Sequence, residues 1–170
     1  YATSANVLGT NSGFSFDETT LTIPGQIAFP ATQSASANAN TLDDYEEGTF
    51  TPTINGSGGQ SGQVYTVQTG RYTKIGNSVN FELKVTLSTL GTITGFVYIA
   101  GQPFTGVDDQ FIFPCQWDST TTAFVLVQGN MSGANIILVK LTAAATAFTT
   151  MAQADLSNTT SFNITGTLLI

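Results

Sequence analysis

Residues 78–87 alternate without a break: Val79, Phe81, Leu83, Val85 and Leu87 are apolar, and Asn80, Glu82, Lys84 and Thr86 between them are polar. Only an extended strand gives side chains a period of 2, so this segment lays one face on a core and turns the other to water or a partner. A helix would scatter the same apolar residues around its circumference. Gly76-Asn77 just upstream is a turn pair, and the spacing predicts a hairpin joining residues 71–75 to this strand. Across it, Glu82 and Lys84 come within reach of Arg71 or Lys74, for ion pairs worth ~0.2–1 kcal/mol.

The rest of the chain uses the same vocabulary. Threonine occurs 29 times and glycine 17 times, whereas charged residues are 9%, against about 25% in an ordinary soluble domain. Branched and aromatic side chains favour pleated surfaces, and helix formers such as Glu, Lys, Arg and Met are scarce. The fold class is therefore all-β. Strands are predicted over residues 49–54, over 64–75 with a bend near Thr69-Gly70, and over 92–100, 110–117, 123–128, 135–141 and 161–170. The Ala-rich stretch 143–155 allows a short helix, although Thr146, Thr149 and Thr150 argue against a long one. The apolar ending Thr167-Leu168-Leu169-Ile170 is costly to leave in water and belongs in a sheet. Eight or so strands at this spacing suggest an antiparallel β-sandwich of jelly-roll type over residues 42–170, which suits the single core that 170 residues support.

Residues 1–41 read differently. Short alternating pieces around Phe14-Ser15-Phe16 and Leu21-Thr22-Ile23-Pro24 are separated by Ala, Ser and Asn. So few apolar residues cannot offset a backbone ordering cost of about 1–2 kcal/mol per residue. Winding with identical copies around an axis would bury them, which predicts an extended β-shaft and a homotrimer. The other reading is a floppy linker. Because residue 1 is Tyr rather than Met, either a leader has been removed or, as the non-globular start leads us to expect, the chain is the C-terminal piece of a longer polypeptide.

Several function classes fall away. A net charge of −7, with only Arg71 and Lys74 close together among the basic residues, makes nucleic acid and anionic lipid poor partners. With no His and only Cys115, there is no internal disulfide and no Cys/His metal site, and no cofactor is expected. No apolar run reaches the ~18–20 residues of a membrane span, so no membrane insertion is expected. Nucleophilic catalysis lacks its histidine base and a Gly-x-Ser-x-Gly elbow. A glycosidase pair drawn from Asp108, Asp109, Asp118 and Asp155 would stand on loops or strand ends rather than on rigid elements. The chain is read as a binding and structural protein, not an enzyme.

Two places remain where chemistry is conceivable. Asp43, Asp44, Glu46 and Glu47 place four carboxylates in five positions. They form either a solvated acidic turn or a weak hard-cation site, although the spacing is not that of an EF-hand. Arg71 and Lys74 are their candidate neutralising partners. The second place is Gln116-Trp117-Asp118, at a predicted strand end. An aromatic platform beside amide and carboxylate groups suits a sugar ring, and loops on a rigid sandwich are common recognition sites. Together with Asp108 and Asp109, these residues form the candidate ligand-binding set. The alternative for Trp117 is a core or subunit plug.

Thr41-Leu42-Asp43-Asp44-Tyr45-Glu46-Glu47-Gly48-Thr49-Phe50-Thr51-Pro52, followed by Gly70-Arg71-Tyr72-Thr73-Lys74-Ile75-Gly76, resembles the repeated module of bacteriophage tail-fibre and minor tail proteins. Ile27-Ala28-Phe29-Pro30 and Gly101-Gln102-Pro103-Phe104 extend the likeness. Phe50 stands where that family commonly has Trp. The resemblance implies a virion component: a trimeric C-terminal fibre domain whose partners are its own copies, other phage tail or virion proteins, and a host-surface glycan or protein. Its localisation would be the virion tail fibre, outside the cell. A capsid-decorating fibre without receptor binding is the alternative it leaves, and a polysaccharide depolymerase fragment is a third. It carries no catalytic residues to transfer.

Overall fold

The alternating segment becomes the strand around which the sheet is built. A computed structural model describes residues 15–29, 38, 41–42, 44–106, 112–143 and 147–170. Two short strands, β1 (Ser15–Phe16) and β2 (Leu21–Thr22), pair with each other near the start. Residues 1–14 and 30–37, which carry most of the expected shaft, lie outside the described residues.

The main sheet begins with β3 (Tyr45–Phe50) and β4 (Thr53–Gly56). It continues through β6 (Val64–Ile75), β7 (Ser78–Thr89), β9 (Val97–Ala100), β10 (Ile112–Asp118), β11 (Leu126–Ser132), β12 (Asn135–Leu141) and β14 (Ser161–Leu169). The order across it is β3-β6-β7-β14-β10-β11-β12-β9-β4, antiparallel at every step. Two minor strands, β5 (Gly59–Ser61) and β8 (Thr92–Thr94), pair apart from it, and β13 (Thr149–Thr150) adds to β12. The all-β antiparallel class expected from composition is what the chain adopts.

One strand turns the sheet. The first half of β10 pairs with β11 through Ile112, Phe113 and Pro114, and the second half pairs with β14 through residues 115–118. Changing partners midway lets the sheet curl without losing its backbone hydrogen bonds. The curl is deep enough that its two ends are neighbours in the chain, because only Thr51-Pro52 separates β3 from β4. Proline lacks an N–H and cannot continue a ladder, which is why strand sequence at 49–54 divides into two strands instead of one. No ladder closes the last gap. Tyr65 of β6 does so with its side chain: its hydroxyl donates to the Ile54 carbonyl at 3.2 Å and accepts from the Ile54 N–H at 3.0 Å. Nearby, Gln68 Nε2 donates to the Pro52 carbonyl at 3.0 Å.

The curl encloses one core. Val79, Phe81, Leu83, Val85 and Leu87 are all buried, as their period requires, and face Ile54, Phe113, Met131, Leu138, Phe162 and Ile164. Each fully buried side chain of this size contributes roughly 1.5–3 kcal/mol. Phe81 and Phe113 meet edge to face, with centroids 4.9 Å apart, the arrangement that the ring quadrupoles favour. Beneath Phe113 the chain needs a glycine, since a Cβ on Gly166 would lie 2.2 Å from the ring. The C-terminal strand β14 sits between β7 and β10, as its apolar character implied.

Other expectations need adjustment. Residues 92–100 divide at Gly95, whose φ of +78° ends β8 before β9 begins. The register of β6 against β7 shifts between Val64 and Val67. The strand expected at 123–128 begins later, at Leu126. The described part of 143–155 contains β13 and a 3-10 turn at Gln153–Asp155 rather than an α-helix.

Two predictions follow from this architecture. Tyr65→Phe strips the Ile54 N–H and C=O of their partner and should lower stability by about 1–3 kcal/mol, read as a shifted urea midpoint at unchanged m. Cys115 is a buried free thiol whose pKa burial pushes up to about 12 from 9.0. The folded state therefore disfavours the thiolate, so this contribution is intact below pH ~9 and is lost as pH rises towards ~12. A thiol reagent at pH 8 should label the protein only after denaturation, and Cys115→Ala should flatten the fall in stability above pH ~9.

Candidate functional site

The acidic run and the Gly-Arg-Tyr motif meet across one strand pair. In the β3–β6 register Gly48 lies opposite Tyr72, and Phe50 lies opposite Gly70. A Cβ on Gly48 would stand 2.5 Å from the Tyr72 hydroxyl, and one on Gly70 would stand 2.5 Å from the Phe50 ring. Each aromatic thus lies over the glycine facing it, restoring apolar cover that glycine cannot supply. Tyr72 then packs edge to face on Phe104, with centroids 4.8 Å apart.

The described carboxylates of the run are engaged within the fold. Asp44 and Lys74 form a buried ion pair, and the Asp44 carbonyl accepts the Gly76 N–H of the turn at 3.0 Å. Glu46 accepts the Tyr72 hydroxyl, a bond that raises the phenol to about 12, and Glu47 accepts that of Tyr45. Asp43 lies outside the described residues. Lys74 is thus the neutralising partner expected for this run. Arg71 instead pairs with Glu82 across the hairpin, Nε to Oε1 at 2.7 Å, where both side chains are exposed.

Gln116, Trp117 and Asp118 do not share a face. Phe113, Cys115 and Trp117 point inward along β10, with Trp117 half-buried against the core, while Gln116 and Asp118 point outward. The following turn is tied down, because the Ser119 carbonyl accepts hydroxyl hydrogens from Ser157 and Thr160. Asp108 and Asp109 lie outside the described residues.

Gln116 and Asp118 join a different constellation. Register places Thr69, Lys84, Asn163 and Gln116 in one row across β6, β7, β14 and β10. The row beside it holds Thr49, Arg71, Glu82 and Thr165, and the row on the other side includes Thr86, Ser161 and Asp118. Over them lie two adjoining grooves of about 370 and 130 Å3 that share Lys84 and Asn163. Of the chain's four basic residues, Lys74 and Lys140 are bound to buried Asp44 and Asp155. The other two, Arg71 and Lys84, stand on this face, and Lys84 forms no ion pair among the described residues. The surface stands on paired strands, is rich in hydroxyls and amides, and supplies both donors and acceptors.

Comparison with known proteins bears on the fold. No protein-family model matches the chain, and no curated protein sequence matches it. Among solved structures, the Dettilon tailspike protein is similar over 73% of this chain and 23% of its own, at 19% identity and a TM-score of 0.54. The chain has a phage tail-associated fold. It spans about a quarter of that protein's length, and at this identity the likeness is one of fold.

The Asp44–Lys74 pair yields a prediction. Lys74→Ala leaves a buried carboxylate uncompensated and should cost about 3–5 kcal/mol. The double variant Asp44→Asn/Lys74→Met should recover most of that loss in a denaturant titration.

Proposed function

We propose that this chain is the head module of a phage tail fibre or tailspike, homotrimeric, sandwich-like in the jelly-roll manner and carried outside the cell on the virion. In this reading it attaches to a host-surface saccharide through the outer face of β6, β7, β14 and β10. The observation that carries the reading is the pair of grooves around Lys84 and Asn163. In a chain with only 9% charged residues, Arg71, Glu82, Lys84 and Asp118 are gathered on one surface among Thr, Asn and Gln. Such a set can donate to and accept from several sugar hydroxyls at once. The tail-associated fold supplies the context in which host contact is useful.

The proposed role is recognition without catalysis. Glu82 is held by Arg71, and Asp118 Oδ1 accepts the Ser119 N–H at 2.7 Å, so both carboxylates on this face have a partner within the fold. Trp117 contributes at the groove edge from its half-buried position rather than as an open platform.

Binding of the labelled chain to an array of bacterial surface polysaccharides tests the proposal. Wild type should bind at least one class, and Lys84→Glu combined with Asn163→Ala should weaken that binding at least tenfold, or ~1.4 kcal/mol, with circular dichroism unchanged. Folded protein that binds none of them, or a variant that binds as wild type does, contradicts it.

A further inference from the structure

The outward row Thr69, Lys84, Asn163 and Gln116 differs from the rows on either side of it. Those rows spend polar groups on each other: Arg71 pairs with Glu82, and the Thr86 and Ser161 hydroxyls are hydrogen-bonded at 2.8 Å. The four side chains of the middle row form no hydrogen bond or ion pair among the described residues. They stand on four successive strands of the sheet, and three strand-to-strand steps of ~4.8 Å make the row ~14 Å long.

Charge divides the two grooves that lie over this row. The larger is lined by Arg71, Glu82 and Lys84, so two cations meet one anion and one positive charge is left over. Because Arg71 and Glu82 compensate each other, the surplus belongs to Lys84. The smaller groove sets Asp118 and the edge of Trp117 beside Lys84 and has no such surplus. An uncompensated cation is distinctive in a chain of net charge −7 whose other two lysines each lie against a buried carboxylate.

We infer that the saccharide taken by this face carries a carboxylate, which pairs with Lys84 in the larger groove. The inference rests on the saccharide reading above and names the class of sugar. A neutral sugar lying over Lys84 would take water from the ammonium and return only hydroxyl contacts, whereas a carboxylate returns a charge of opposite sign as well. Asn163 lies directly opposite Lys84 in the β7–β14 register, and its amide can donate to the second carboxylate oxygen. One surplus positive charge matches one monoanion, while a doubly charged phosphate would leave negative charge uncompensated. The neighbouring sugar then lies toward Gln116 and Asp118, where an amide and a carboxylate can serve its hydroxyls.

Acidic bacterial polysaccharides, arrayed beside neutral ones and beside the same acidic polymers after reduction of their carboxyl groups to alcohols, test it with the whole chain. Wild type should bind at least one acidic member, lose about tenfold or more in affinity for its reduced form, and bind more weakly as salt is raised. Lys84→Gln should lose about tenfold toward the acidic form and change little toward the reduced one, with circular dichroism unchanged. Lys84→Arg, which keeps the charge, should bind the acidic form within a few-fold of wild type. Equal binding to native and reduced forms, binding confined to neutral polysaccharides, or Lys84→Gln binding the acidic form as wild type does overturns the inference and leaves the saccharide reading standing. Folded wild type that binds no member of the array overturns both.

Discussion

The fold depends on bringing the two ends of one long sheet together without a ladder between them. Thr51-Pro52 joins β3 and β4, which lie at opposite ends of the strand order, so the intervening strands curl until those ends meet. At the meeting point β4 presents an N–H and a carbonyl with no strand opposite. Tyr65 satisfies both with one hydroxyl, and Gln68 anchors the Pro52 carbonyl beside it. Ile54 is fully buried, where an unpaired peptide group is costly. Closure and core are therefore coupled: the curl buries the apolar faces, and burial makes the side-chain bridge necessary.

The same economy of backbone explains the motif that first suggested a virion setting. Gly48 and Gly70 are small because Tyr72 and Phe50 lie over them, and the acidic residues around them serve Lys74, Tyr72 and Tyr45. The Asp-Asp-Tyr-Glu-Glu-Gly-Thr stretch and the Gly-Arg-Tyr-Thr-Lys-Ile-Gly stretch form a single structural unit, the two strands at one end of the sheet. Its chemistry supports the shape, and Thr49 and Arg71 from it also line the outer groove.

Local period and turn chemistry were legible in the chain. The alternation at 79–87, the Gly76-Asn77 turn, the β12 segment and the burial of the C-terminal strand could all be read without a structure. Harder to read was anything that depends on which strands become neighbours. Residues 49–54 keep a strand-like composition across Pro52, so only the proline itself signalled the division. The partner change within β10 has no local signature. Trp117 suggested a sugar platform because of its neighbours, yet the alternation of Phe113, Cys115 and Trp117 with Pro114, Gln116 and Asp118 already placed it on the inner face. The row through Thr69, Lys84, Asn163 and Gln116 joins four strands separated by up to some ninety positions and becomes visible only once register is known.

In the proposed reading, recognition belongs to the outward face of β6, β7, β14 and β10, which the curl of the sheet holds in place. That requires the two ends of the sheet to stay together. Native-state hydrogen exchange at the Ile54 amide addresses that requirement most directly. If Tyr65 closes the sheet, this amide exchanges only through global unfolding, with the same protection as the amides of β7. Exchange at the rate of an exposed strand edge, with β7 still protected, would mean that the two ends of the sheet are apart and that the outward face of β6, β7, β14 and β10 is not held as described.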